Sequence, residues 1–114
     1  MQYAILIYET PDDFAARNDH RKDAYWGPWF AYSQAASEAG KTVGGACLQG
    51  PETGTTLKNG TVEDGPYADT REQLGGLFLI EAETLDEAMD WAARCPAAAS
   101  GAVEVRPVQP TNRA

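Results

Sequence analysis

Two stretches hold side chains that could do chemistry. The first is Asp64–Gly76, DGPYADTREQLGG, which sets a carboxylate, a phenol, a cation and an amide in one polar run. Within it, Asp64-Gly65-Pro66 has the composition of a tight turn: Asp accepts from nearby amides, Gly allows positive φ, and Pro fixes φ. Asp64 then has two readings. It ties its own loop, or it is a carboxylate held at the mouth of a cleft. Tyr67, Arg71, Glu72 and Gln73 form either a ligand-binding cluster or a solvated, salt-bridged loop at a subunit contact. The second stretch is NDHRKD, around His20, the one histidine of the chain. Imidazole changes charge near neutrality, so His20 is the natural proton carrier. Its neighbours are surface-like, which gives an exposed histidine near a helix start as the plain alternative. Paired, His20 and Asp64 would be an acid–base couple needing no cofactor.

Other chemistries have no footing. One histidine and two separated cysteines, Cys47 and Cys95, lack zinc-site spacing, so no metal is expected. GGACLQG lacks the lysine and the following helix of a phosphate loop, and GPETG lacks the serine of a nucleophile elbow. The net charge of −8 disfavours nucleic acid and anionic membrane surfaces as partners. No apolar run approaches the roughly 20 residues of a membrane span, and MQYAILIYET lacks the basic region of a signal peptide. A cytoplasmic protein with reduced, buried thiols is the expectation.

The elements that must position these residues follow from periodicity. With 114 residues, 43% hydrophobic and 23% charged, the chain suits one globular domain, expected over 1–110, with 111–114 as a fraying tail. Tyr3–Tyr8 is a strand apolar on both faces. A short helix near 12–17 precedes a longer one over about 22–39. The longer helix has Trp26, Trp29, Phe30, Ser33, Ala36 and Ser37 on one stripe and is kinked or restarted at Gly27-Pro28. Tyr25 and Tyr32 fall off that stripe and are the better candidates for a ligand pocket. Thr42–Leu48 reads as a strand, and Asn59-Gly60 between β-prone residues reads as a hairpin turn. Gly76–Ala82 is again apolar on both faces. Thr84–Glu87 is a capping box that opens a helix to about Arg94, burying Leu85, Ala88, Met89, Ala92 and Cys95. Val103–Val108 alternates as a last strand, with Pro107 suited to an edge.

The order β-α-β-hairpin-β-α-β predicts an α+β, ferredoxin-like βαββαβ sheet with an extra hairpin. Helices would cover one face. The other face, apolar on two strands, calls for a second copy packed across a two-fold axis, a homodimer.

The run VEDGPYADTREQLGGLFLIEAETLDEAMDWAARCP, followed by GAVEVRPV, resembles the DGPF-motif branch of the YCII-related (YciI-like) domain family. Asp64, Gly65, Pro66, Glu72, Gln73, Leu74, Gly75 and Gly76 match the hallmark, while Tyr67 stands for Phe, Asp69 for Glu and Arg71 for Lys. YAILIYE and AGKTVGGACLQ are similar too. The resemblance implies a ferredoxin-like fold forming a dimeric α+β barrel. Family members are mostly of unassigned function, some occurring beside extracytoplasmic-function sigma factors. YciI-type relatives carry a His and an Asp proposed as an acid–base pair. His20 stands at a different place relative to Gly40, so that role does not transfer to it by position. Two functions follow. One is an acid–base enzyme for a small organic molecule, with His20 and Asp64 acting and Tyr67 and Arg71 in support. The other is a small-molecule-binding or regulatory dimer.

Overall fold

The computed structural model describes residues 1–111; the rest of the expected tail, 112–114, lies outside them. In chain order the elements are β1 Gln2–Glu9, α1 Pro11–Ala16, α2 Lys22–Glu38, β2 Thr42–Cys47, β3 Thr55–Lys58, β4 Thr61–Asp64, β5 Gln73–Glu81, α3 Leu85–Ala93, α4 Ala97–Ser100 and β6 Ala102–Pro107. A 3-10 turn over Pro51–Thr53 links β2 to β3.

Four strands form one antiparallel sheet in the order β2-β5-β1-β6. This is the ferredoxin-like arrangement that the order of elements predicted. Strands β3 and β4 pair only with each other, as a separate hairpin. Its turn residues Asn59 (φ 51°) and Gly60 (φ 78°) both take positive φ, as the two-residue turn requires.

The alternation along β1 sends Tyr3, Ile5, Ile7 and Glu9 to the helix-covered face, where all four are buried. They meet Phe78 and Ile80 of β5 and Val103 and Val105 of β6 in register. From the helices, Trp29, Tyr32, Ala36, Ala88, Trp91 and Ala92 complete the core. Ala4 and Leu6, paired with Leu79 and Leu77, point to the opposite face and stay half-buried.

Both long helices are rotated from the expected stripes. In α2 the buried set is Trp29, Tyr32 and Ala36, while Phe30 is 67% exposed. Tyr32 is therefore core and not pocket wall; its hydroxyl donates to the Trp91 carbonyl at 2.9 Å, which satisfies the one polar atom that burial would otherwise orphan. In α3, Trp91 is buried in place of Leu85 and Met89, because its large ring packs edge-on against Tyr32 at 6.3 Å. Helix α2 runs unbroken through Pro28, so neither a restart nor two helices is seen. At the start of α3, Thr84 Oγ1 accepts from Glu87 N–H (3.1 Å), but Glu87 reaches back to the amide of Glu83 (3.0 Å), one residue before the cap. Cys95 is buried and Cys47 is exposed, both as free thiols.

Candidate functional site

The fourth inward position of β1 is a carboxylate. Glu9 lies in the core, 2% exposed, and its charge needs a partner to be tolerated there. The partner comes from the next turn of chain. Thr10 caps α1 in a full capping box with Asp13, so α1 starts immediately after the strand. Six helical residues later, Arg17 is carried back beneath β1. Its Nη2 donates to Glu9 Oε1 (2.5 Å) and to the Gly75 carbonyl (3.1 Å). Its Nη1 donates to the Leu48 carbonyl (2.5 Å) and its Nε to the Tyr25 hydroxyl (3.0 Å). The Tyr25 hydroxyl donates in turn to Glu9 Oε2.

Gly75 makes this approach feasible. It is the extra residue where the β1–β5 register shifts, between Ile7↔Gly76 and Tyr8↔Leu74. A Cβ there would stand 2.5 Å from Glu9 Oε1 and 2.9 Å from Arg17 Nη2. Its carbonyl accepts from Arg17 and from the Leu48 amide (2.9 Å), so the bulge ties β5, the end of β2 and the ion pair together.

Aromatic rings surround the guanidinium. The Arg17 carbon lies 4.7 Å from the Phe14 ring centre, 5.6 Å from Trp26 and 5.7 Å from Tyr25. Trp26 Nε1 fixes this ring by donating to the Arg17 carbonyl (3.0 Å). Burial works against the Arg17 charge, but bonds to Glu9 and Tyr25 outweigh it and hold the guanidinium pKa above its ordinary value. Burial, then the bond to Glu9, pushes the Tyr25 phenol well above its ordinary value, so it stays protonated.

Glu9, Arg17 and Tyr25 form the charged and phenolic part of the wall of a cavity of about 430 Å³ between α2 and the β2–β5 side of the sheet. Trp26, Trp29, Phe30 and Phe78 supply aromatic walls, and Ser33, Thr42 and Cys47 add small polar groups. Trp29 stacks with Phe78 (6.4 Å, 14°) and Trp26 with Phe30 (6.0 Å, 19°). A mostly apolar concavity of this size with a few convergent polar groups suits a small organic ligand.

Of the catalytic and ligand-binding candidates, Tyr25 alone lines this cavity, joined by Trp26, Trp29 and Phe30 of the aromatic stripe that the sequence favoured as core. His20 sits in the α1–α2 turn with its side chain 89% exposed, 3.9 Å from Asp19. Asp19 is itself bound to Arg21, which lowers its pKa to about 2. Asp64 is exposed at the end of β4, and neither it nor His20 lines the cavity. The loop is closed by Gly65 N–H donating to the Gly54 carbonyl (2.7 Å) and by Thr56 donating to the Gly65 carbonyl (2.8 Å), not by the Asp64 carboxylate. Tyr67 is 71% exposed beside Lys58. Arg71 and Glu72 make a loose surface pair (3.8 Å). Gln73 donates to the carbonyls of Ala68 and Thr70 (2.8 Å each), folding the polar run onto itself. Arg71 and Gln73 border a second hollow of about 390 Å³ with Pro11, Phe14, Pro51 and Pro66.

Glu9 and Arg17 escaped the sequence reading. The signal for Glu9 was present: it continues the inward alternation Tyr3-Ile5-Ile7. Arg17 gave none, since it stands in a polar run that reads as surface. Among the described residues no group of three His, Cys, Asp or Glu could hold a metal ion, and no helix is long and apolar enough to cross a membrane.

The class these features define is a ferredoxin-like α+β domain with an aromatic-walled cavity closed at one side by a buried ion pair. The chain belongs to the YCII-related domain family, whose model matches residues 1–112. It is 34% identical over 114 residues to an uncharacterised protein of Rhizobium meliloti (strain 1021), covering 95% of this chain and 92% of that one. Its fold is similar to that of 5-chloro-2-hydroxyhydroquinone dehydrochlorinase (TftG) from Burkholderia phenoliruptrix AC1100, solved in complex with 2,5-dihydroxybenzoquinone. The TM-score is 0.58 at 18% identity, covering 96% of this chain and 94% of the other.

Proposed function

We propose that this protein binds a small, planar organic molecule in the aromatic-walled cavity and performs acid–base chemistry on it without a cofactor, using Glu9, Arg17 and Tyr25. The observation that carries this reading is the buried carboxylate–guanidinium–phenol cluster on the wall of a cavity of ligand size. Stacked rings suit a flat ligand. Glu9 has lone pairs beyond those that Arg17 and Tyr25 occupy, and a carboxylate in reach of a bound hydroxyl or acidic C–H is a general base. Arg17 uses four of its five N–H donors within the protein, which leaves one on Nη1 for an oxygen that gains negative charge. The similar fold in TftG, a protein that has been solved with a dihydroxybenzoquinone, supports hydroxylated single-ring compounds as the first to try. His20 and Asp64 have no part in this chemistry within one chain.

The assembly we propose is a cytoplasmic two-fold dimer, in which the half-buried face bearing Ala4, Leu6, Leu77 and Leu79 lies against its copy.

A second reading, ligand binding for regulation without turnover, is favoured by one observation. Among the described residues no buried polar side-chain atom lacks a partner within the protein, so the cluster also serves as a purely structural wall of the cavity. One experiment separates the two. Hydroxylated single-ring compounds are screened by thermal shift, and the binders are followed by proton NMR in D₂O for C–H exchange or conversion. Exchange that Glu9→Gln and Tyr25→Phe each reduce at least a hundredfold, with binding retained, supports the enzyme. Binding with no exchange supports the regulator. Failure of all such compounds to bind sinks both.

A further inference from the structure

The β3–β4 hairpin stands apart from the sheet. Its strands pair only with each other, Thr55↔Asp64 through Lys58↔Thr61, and they contact little else. A two-stranded hairpin alone is marginal in water and gains stability when something packs on it. Leu57 and Val62 are directly opposite in register, so their side chains leave the same face. They are 70% and 65% exposed. The other face carries the polar residues Lys58, Thr61 and Glu63, with the Lys58 ammonium 5.2 Å from the Tyr67 ring centre.

The chain also has more surface than one compact copy should. A folded monomer of 12.3 kDa exposes about 6,100 Å², whereas this one exposes 7520 Å². Its radius of gyration is 15.3 Å, against about 13 Å for a compact chain of this length. The excess, about 1,400 Å², is larger than the roughly 800 Å² that each partner hides in a standard interface.

We infer that the hairpin is an arm that lays its Leu57–Val62 face on a second copy of this chain. The inference rests on the two-fold dimer proposed above and extends it. Sheet-face packing would leave the arm uncovered, and arm exchange covers it. A second copy fits better than a foreign partner because the half-buried face of Leu6, Leu77 and Leu79 already brings a copy alongside in the proposed dimer. Two-fold symmetry then pairs the two faces, lays each arm on the other chain and closes the assembly.

The test uses the full chain in sedimentation equilibrium. The wild type is compared with a double variant, Leu57→Asp with Val62→Asp, and with Leu6→Lys on the sheet face. The arm residues lie outside the core of Ile5 and Ile80, so far-ultraviolet circular dichroism should not change. The expected result is a dimer whose dissociation constant rises at least tenfold in both variants. A double variant that dimerises as tightly as the wild type, while Leu6→Lys does not, overturns the arm and leaves the sheet-face dimer standing. A wild type that stays monomeric at every concentration overturns both. Amide hydrogen exchange gives an independent check. Protection of residues 55–64 in the wild type should rise at least tenfold as concentration passes through the dissociation constant, and unchanged protection overturns the arm.

Discussion

At the scale of single residues, Glu9 and Arg17 are the charges that have left water. Both are under a tenth exposed, and each is tolerated because the other is there. Arg17→Met would leave the carboxylate buried without its counter-charge and would release the carbonyls of Leu48 and Gly75. A loss of about 3–5 kcal/mol is expected in urea unfolding. A second consequence concerns alkaline pH. Burial raises the pKa of Tyr25 and Tyr32 above the ordinary phenol value, and burial raises Cys95 to about 11. For each group the folded pKa exceeds the unfolded one. Their stabilisation is therefore fully present below the unfolded values, about 8.5 for the thiol and 10 for the phenols. It is lost above them, because the unfolded chain releases protons that the folded chain keeps. Stability should be flat in these groups up to about pH 8 and fall from about pH 9 upward, each group adding a slope of up to about 1.4 kcal/mol per pH unit. Denaturant midpoints measured from pH 7 to 11 check this. Tyr25→Phe with Tyr32→Phe should flatten the part above pH 10.

Elements explain why these residues meet. The sequence made the strands legible because β1 and β5 are short continuous apolar runs and β6 alternates, and made the hairpin legible because Asn-Gly permits two consecutive positive φ values. It misled on which helix stripe is buried. In α2 and α3 apolar residues exceed what one face can hold, so tertiary packing chose Tyr32 over Phe30 and Trp91 over Leu85 and Met89. The bulge at Gly75 was visible only as a Gly-Gly pair. Its consequence belongs to the element: Gly75→Ala would drive a methyl to 2.5 Å from Glu9 Oε1 and 2.9 Å from Arg17 Nη2, so the ion pair would have to shift. The substitution should cost about 1–3 kcal/mol, as overpacking does. It should also disturb the cavity wall, lowering affinity for any ligand that wild type binds. Unchanged thermal midpoint and unchanged affinity would show that the bulge can relax.

At the scale of the whole molecule, the site and the assembly follow from which surfaces are left over. One sheet face is packed by helices and the other is apolar and half-covered. In the proposed dimer, Leu79→Lys would place an ammonium on that second face, so light scattering should find the variant at 12.3 kDa where the wild type has twice that mass, with the fold retained. A variant with the same mass as a dimeric wild type would remove the face from the interface.

The sequence by itself determined the strands, the hairpin, the order of elements and hence the ferredoxin-like α+β class, because these depend on period and turn chemistry read over neighbouring residues. It also determined the family, through a long motif. Only the tertiary structure decided which charged and polar groups meet. It left His20 and Asp64 on the surface and joined Glu9, Arg17, Tyr25 and Gly75. The reason is physical. A buried charge is defined by its partner, and that partner is supplied by chain reversal and a strand bulge, neither of which leaves a periodic trace in sequence.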